Sequence, residues 1–197
     1  MTKIGIFIRH GESTANSGGI VSHDLEGYPL TAKGMNEARR AGENLSPISG
    51  TVDRFVVSPL VRTIQTADEV AKGMDYAGST IIDERLRETF LGPYNNRPVS
   101  ELPKFHRSEF GIEPFEENGM RLYECAQDYE GVSVFVSHNL PIKALICKIL
   151  DLEEEDAKGV DIRNASISII DFEKGKVLCI GAGRPSGRTL DRIKNRL

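Results

Sequence analysis

Short, largely apolar runs alternate with stretches of helical periodicity along this chain of 197 residues. The runs 3–8, 54–57 and 132–136 are typical of strands that are buried on both faces. Each is followed by a stretch whose apolar residues recur at helical spacing. This alternation predicts an α/β fold, a three-layer sandwich in which helices flank a mostly parallel central sheet.

The length, with 39% hydrophobic residues, fits one domain spanning residues 1–197. Four prolines break the regular pattern over 84–118, which predicts a small inserted cap containing short helical turns. The runs 166–172 and 176–180 predict two strands joined as a hairpin. The basic tail, 184–197, is expected to be a solvated terminus, or alternatively to fold over an anionic ligand.

The net charge of −4 favours neither nucleic acid nor an anionic membrane as a partner. Cys125, Cys147 and Cys179 are far apart and lie in apolar stretches, so we expect buried free thiols. No apolar run reaches the length of a membrane span or fits a signal peptide. These features predict a cytoplasmic protein.

Polar residues follow three of the predicted strands at the point where each strand ends. Arg9 and His10 follow the first, Ser58 to Arg62 follows the second, and Ser137 and His138 follow the third. The carboxyl ends of parallel strands meet at one edge of a sheet, where ligands bind. Ser58-Pro59 is also a typical helix start, so Arg62 should lie in a first helical turn, where an anion is favoured.

Two arginines and two histidines at one sheet edge suit a phosphate dianion. Arginine donates bidentate hydrogen bonds to phosphate oxygens, and a histidine among the arginines can act as a nucleophile. A single Arg-His pair would more often be a surface feature, and the agreement of three strand ends carries the prediction. His106 lacks such support and is expected to be solvated.

The motifs also resemble those of the histidine phosphatase superfamily, which contains phosphatases and cofactor-dependent phosphoglycerate mutases. Arg9-His10-Gly11-Glu12-Ser13, with Asn16, is similar to its RHG motif. Four later segments are similar to further family motifs, in the family's order: Leu30-Thr31 with Gly34, Ser58-Pro59-Leu60 with Arg62-Thr63, Leu86-Arg87-Glu88 with Gly92, and Val136-Ser137-His138.

The resemblance implies a role for each matching residue. His10 would be the nucleophile that becomes a phosphohistidine, and Glu88 would be the general acid that protonates the leaving oxygen. The other matching side chains would hold the phosphoryl oxygens: Arg9, Arg62, His138 and Asn16. Two arginines can neutralise the transferred group, so no metal ion is expected.

The departures from the family pattern lie on the substrate side. Asn139 follows the second histidine, where the family usually has glycine, and it is a candidate substrate-binding residue. Ser22 and His23, in the loop after the first motif, are further candidates. These differences leave the identity of the small phosphorylated substrate open, and a monomer or a homodimer is expected.

Three functions are compatible with these residues. A phosphatase without a cofactor is favoured, because the chain is compact and the segment after Glu88 is short, whereas the family's mutases tend to be longer. A phosphoglycerate mutase using 2,3-bisphosphoglycerate is the alternative. A catalytically inactive phosphate-binding or interaction module is the third, although His10, the arginines and Glu88 are all present.

Overall fold

A computed structural model of the protein describes residues 2–104 and 106–195. Eight strands are present in this part of the chain: β1 (Lys3–Arg9), β2 (Ile20–Val21), β3 (Arg54–Val57), β4 (Ser79–Ile82), β5 (Arg97–Pro98), β6 (Gly131–Ser137), β7 (Ile167–Asp171) and β8 (Lys176–Ala182). Six α-helices accompany them: α1 (Thr14–Ser17), α2 (Ala32–Leu45), α3 (Val61–Met74), α4 (Phe115–Gln127), α5 (Asn139–Leu150) and α6 (Gly187–Lys194).

Six strands form the central sheet in the order β4-β3-β6-β1-β7-β8. The four strands from β4 to β1 are parallel to one another. β7 and β8 are added antiparallel at the β1 edge, as a hairpin. The mostly parallel sheet predicted from the sequence is therefore confirmed, and β6 lies between β3 and β1.

Helices cover both faces of this sheet, as a three-layer sandwich requires. Ile4, Ile6 and Ile8 of β1 belong to a core shared with α2, α3 and α6, whereas Phe7 belongs to a core shared with α4 and α5. This alternation follows from the two-residue repeat of a strand. Among the described helices, none is long and apolar enough to cross a membrane.

Gly11 and Gly34 contact each other through backbone atoms alone, where the loop after β1 meets helix α2. Thr31 caps α2 by accepting a hydrogen bond from the Gly34 N–H at 3.1 Å. A Cβ on Gly34 would lie 2.0 Å from the Glu12 carbonyl oxygen, and one on Gly11 would lie 2.3 Å from the Gly34 carbonyl oxygen. Both positions therefore require glycine.

Helix α3 begins later than its sequence predicts. Its first residue is Val61 and its N-cap is Leu60, whereas Ser58 was expected to cap it. The Ser58 hydroxyl instead hydrogen-bonds the His138 ring at 2.8 Å, so it is not available to the helix. Arg62 still lies in the first turn, as predicted.

The basic tail is not simply a solvated terminus. Its residues 187–194 form α6, whose Leu190 and Ile193 are buried in the core. The cationic side chains of α6 are exposed as expected, and the sequence prediction missed the apolar stripe between them. In the described part of the tail, no residue lines the cavity described below, and Arg196 lies outside the described residues.

The described part of the predicted cap, 84–118, contains four 3-10 turns, two of which lie between prolines, and it contains β5, which pairs with β2. Helix α4 begins at Phe115, inside the segment predicted as the cap. Pro114 immediately precedes it, and proline is well tolerated there because the first N–H groups of a helix have no partner within the helix.

Candidate active site

Four of the predicted side chains lie at the carboxyl edge of the parallel strands. Arg9 ends β1 and His10 directly follows it. His138 directly follows β6, and Arg62 lies in the first turn of α3. The ring centroids of the two histidines are 5.2 Å apart. The backbone N–H of His10 donates to the Ser137 carbonyl oxygen at 3.0 Å, which fixes the two strand ends to each other.

The ring of His10 is buried and held in one orientation. Its Nδ1 lies 2.7 Å from the Gly11 carbonyl oxygen. A carbonyl oxygen can only accept, so Nδ1 carries the proton of the neutral ring and Nε2 keeps a free lone pair. Burial, followed by the charges of Arg62 and Arg9, holds the pKa of His10 well below its ordinary value.

Two buried guanidinium groups flank this ring. Arg9 donates to the Ile162 carbonyl oxygen at 2.8 Å, and Arg62 donates to the Ser22 carbonyl oxygen at 2.7 Å. Within the described residues, Arg9 Nε and Arg62 Nη1 remain buried without a hydrogen-bond partner. Buried donors of this kind are costly unless an acceptor reaches them, so the site is built for an anion.

The carboxyl group of Glu88 approaches the second histidine. Its Oε2 lies 3.6 Å from His138 Nδ1, and its Oε1 accepts from the Thr89 N–H at 2.9 Å. Burial raises the pKa of Glu88, although Arg62 and the Thr89 N–H oppose the shift. A carboxyl group with a raised pKa beside a nucleophile can serve as a general acid.

Three of the four polar residues predicted to bind substrate line the cavity, and the fourth does not. Asn16, Ser22 and Asn139 line the cavity, and Asn139 Oδ1 is buried without a partner in the described part of the chain. Asn16 Oδ1 instead accepts from the Ser13 N–H at 3.1 Å, which leaves its amide NH₂ as the group that could donate to a ligand. His23 is not among the lining residues.

His23 joins two segments of the chain. Its Nδ1 accepts from the Leu91 N–H at 3.0 Å, and its ring stacks on Phe90 with centroids 4.9 Å apart. The side chain therefore attaches the loop after the first motif to the predicted cap, and the structure gives it no contact with the cavity.

Sequence reasoning missed Asn164, which lies just before β7. Its Nδ2 donates to the His10 carbonyl oxygen and to Asn16 Oδ1, both at 3.1 Å. Because β7 runs antiparallel to β1, the residues that precede β7 lie at the same sheet edge as the residues that follow β1. A hairpin prediction does not give the direction of β7 relative to β1, so the placement of Asn164 depends on the observed pairing of these two strands.

A cavity of about 540 Å³ opens over these groups. Arg9, His10, Arg62 and Glu88 line its polar end. Its remaining lining is mixed polar and apolar, and the apolar part comes in part from the predicted cap, through Leu91, Val99 and Leu102. The volume suits a small molecule with one strongly anionic end.

His10, Glu88 and His138 also present three ligand-type atoms within 4.8 Å of one another, as a metal site would. The charges around them favour an anion instead, because the guanidinium groups of Arg9 and Arg62 act on the same rings and would repel a cation. His10 Nδ1 already bonds a carbonyl oxygen, which restricts its ring to a single free nitrogen.

The pKa shifts predict activity that persists in acid. The pKa of His10 lies below its ordinary value of 6.5, so the ring stays neutral as the pH falls through that value. The pKa of Glu88 lies above its ordinary 4.5, so its proton is retained to higher pH. We therefore expect kcat/KM for an aryl phosphate, measured between about pH 3 and 9, to decline on the acid side only below pH 6.5. An acid limb centred at or above 6.5 would contradict this arrangement.

Comparison with known proteins agrees with this geometry. Residues 6–182 match the histidine phosphatase superfamily (branch 1). A 2,3-bisphosphoglycerate-dependent phosphoglycerate mutase of Thermoplasma acidophilum is 35% identical over 189 residues, covering 91% of this chain and 92% of the relative.

Two solved structures share the fold. Bacillus stearothermophilus YhfR is 23% identical with a TM-score of 0.76, covering 95% of this chain and 98% of that one. The phosphoserine phosphatase of Entamoeba histolytica, in complex with 3-phosphoglyceric acid, is 24% identical with a TM-score of 0.73 and the same coverage. The chain therefore belongs to branch 1 of the histidine phosphatase superfamily, an enzyme family of phosphatases and phosphoglycerate mutases.

Proposed function

We propose that this protein hydrolyses a small phosphomonoester through a phosphohistidine on His10. The observation that carries the proposal is the free Nε2 of a neutral, oriented imidazole beside two arginines with unpaired buried donors. Positioning and charge neutralisation are the main requirements of phosphoryl transfer, and these groups meet both requirements.

The reaction proceeds in two steps. His10 Nε2 attacks phosphorus and the ester P–O bond breaks, while Glu88 gives its proton to the leaving oxygen. Water then attacks the phosphohistidine, Glu88 takes a proton from that water, and the P–N bond breaks to release inorganic phosphate. Arg9, Arg62 and the Nδ1 of His138 hold the phosphoryl oxygens in both steps.

One feature supports water as the acceptor. Helix α6 packs into the core, so the described part of the C-terminal segment leaves the cavity open to solvent. The segment 84–118, which we propose acts as a cap within a single domain, contributes short turns, and it does not separate the two functions because the Thermoplasma acidophilum mutase is matched over 92% of its own length.

A phosphoglycerate mutase is the second candidate, favoured by the 35% identity to the Thermoplasma acidophilum enzyme. The mutase reaction needs 2,3-bisphosphoglycerate, which supplies the phosphoryl group that primes the histidine. The unpaired donors of Arg9 and Arg62 would hold one phosphate, and Lys143 on the cavity wall is placed to hold a second anionic group. The chain's own residues therefore fit this cofactor.

Product analysis separates the two functions. The protein is incubated with 3-phosphoglycerate, with and without 2,3-bisphosphoglycerate, in the presence of a chelator. We expect free phosphate in both reactions and unchanged rates without the chelator. Formation of 2-phosphoglycerate that depends on 2,3-bisphosphoglycerate would instead establish the mutase. If a panel of phosphomonoesters including p-nitrophenyl phosphate gives no product, the proposed chemistry is wrong.

A further inference from the structure

A second cavity, of about 350 Å³, adjoins the catalytic one. The two cavities share Arg107, Leu140 and Lys143 as lining residues, so they are neighbouring compartments of one cleft. The second compartment also presents Lys104 and Lys158, against a single carboxylate, that of Glu154. This excess of cations stands out in a chain whose net charge is −4.

The cations of this compartment are not equivalent. Arg107 forms an ion pair with Glu154, and both side chains are largely buried. Lys143 is half-buried, and among the described residues no carboxylate lies within 4.0 Å of its Nζ. Its nearest hydrogen-bond acceptor is the Ala157 carbonyl oxygen at 3.4 Å, a long and weak contact.

The electrostatic surroundings of Lys143 disfavour its charge in the absence of a ligand. Burial lowers its pKa, and the like charges of Arg9 and Arg107 add to this effect. Asp161 acts in the opposite direction, but its carboxylate is exposed and already accepts a hydrogen bond from Arg163 at 2.7 Å. A half-buried ammonium group without a counter-ion gains most from an anion that enters the cleft.

Lys143 is also fixed relative to the reacting groups. It lies on α5, the helix that His138 caps, five positions after that histidine. A ligand held by Arg9 and Arg62 can therefore extend past Leu140 toward Lys143 along the first turns of one helix. His138 and Lys143 are therefore connected by one helix rather than by a loop.

We infer that Lys143 binds a second anionic group of the substrate, at the junction of the two compartments. The inference rests on the proposed function and narrows its substrate class to phosphomonoesters that carry a distal carboxylate or a second phosphate. Lys143 would then determine specificity, and it would take no part in the transfer of the phosphoryl group to His10.

Matched substrate pairs test this assignment. 3-Phosphoglycerate is compared with glycerol 3-phosphate, which lacks the carboxylate, and 1,3-propanediol bisphosphate is compared with its monophosphate. For Lys143→Met we expect kcat/KM to fall roughly 10- to 100-fold, mainly through KM, for the substrate that carries the second anionic group in at least one pair. The partner substrate should change by less than about threefold. The pair with the larger effect identifies the distal group as carboxylate or phosphate.

Two further variants control the comparison. Lys143→Arg keeps the positive charge, so it should retain most of the wild-type preference for the substrate with the second anionic group. Lys148→Met should leave kcat/KM unchanged for both substrates of each pair. Lys148 is an exposed residue of the same helix, and its ammonium group lies over the Tyr123 ring, 5.3 Å from the ring centroid. If Lys143→Met does not fold, as judged by its melting temperature, Lys143→Gln replaces it.

Turnover of p-nitrophenyl phosphate, which has no second anionic group, separates the failure of this inference from the failure of the proposed function. Suppose that the wild type cleaves p-nitrophenyl phosphate, and that Lys143→Met lowers kcat/KM equally for both substrates of every pair or for neither. The inference is then overturned and the phosphatase chemistry stands. If the wild type cleaves no phosphomonoester, the proposed function itself fails.

Discussion

Replacing His10 by alanine is expected to lower phosphatase turnover by roughly 10,000-fold or more, because the nucleophile and the covalent intermediate are both lost. The fold should persist. The imidazole is neutral and makes one local hydrogen bond, to the Gly11 carbonyl oxygen, so its removal breaks no ion pair. Steady-state rates and thermal melting of the variant measure the two effects.

The same experiment can identify the intermediate directly. Wild-type protein quenched during turnover of a ³²P-labelled substrate should carry label on His10 that survives base and is lost in acid, and His10→Ala should carry none. His106→Asn is the matched control, because residue 106 is exposed and its positive φ of 52° is tolerated by asparagine. Label on any other residue of the wild type would contradict the assignment of His10.

Glu88→Gln is expected to have an effect that depends on the leaving group. For alkyl phosphates, whose leaving oxygen must be protonated, kcat/KM should fall by roughly 100- to 10,000-fold. For activated aryl phosphates kcat/KM should fall by less than about tenfold. The glutamine keeps the acceptor that binds the Thr89 N–H at 2.9 Å, so the local backbone should be preserved. A series of substrates with graded leaving groups measures the difference.

Glu84→Gln serves as the control for this series, because Glu84 is an exposed residue of the 3-10 turn just before Glu88. It should leave every rate unchanged. The comparison uses kcat/KM, because hydrolysis of the phosphohistidine, in which Glu88 is also proposed to act, is common to every substrate and does not contribute to kcat/KM. An equal loss of kcat/KM for alkyl and aryl substrates in Glu88→Gln would exclude proton donation and would indicate instead that the carboxyl group only positions His138.

The sequence predicts the sheet and the cluster at its edge because both depend on local patterns. A buried parallel strand is recognisable as a short apolar run, and the residues after it must lie at one edge of the sheet. Arg9, His10, Arg62 and His138 could therefore be placed together from spacing alone. Glu88 required the family resemblance, since it follows a 3-10 turn that no periodic pattern predicts.

Other features depend on contacts between distant segments. Ser58 was expected to cap a helix, and its hydroxyl bonds His138 instead, 80 positions along the chain. Leu190 and Ile193 are buried because one face of α6 packs against the core. Charged residues lie between them in the sequence, so the apolar face was not recognised. Lys143 lies in an ordinary helical pattern, and its lack of a counter-ion is a property of the packed cleft.

The contact between Gly11 and Gly34 limits how this enzyme can change over evolution or in engineering. With no side chain between the two backbones, there is nothing at that contact that substitution could enlarge, shrink or recharge. The nucleophile is thus held beside a contact that admits no side chain. New substrate preferences are expected to arise elsewhere in the cleft, where turns of 84–118 and the first turns of α5 present side chains that can be exchanged one at a time.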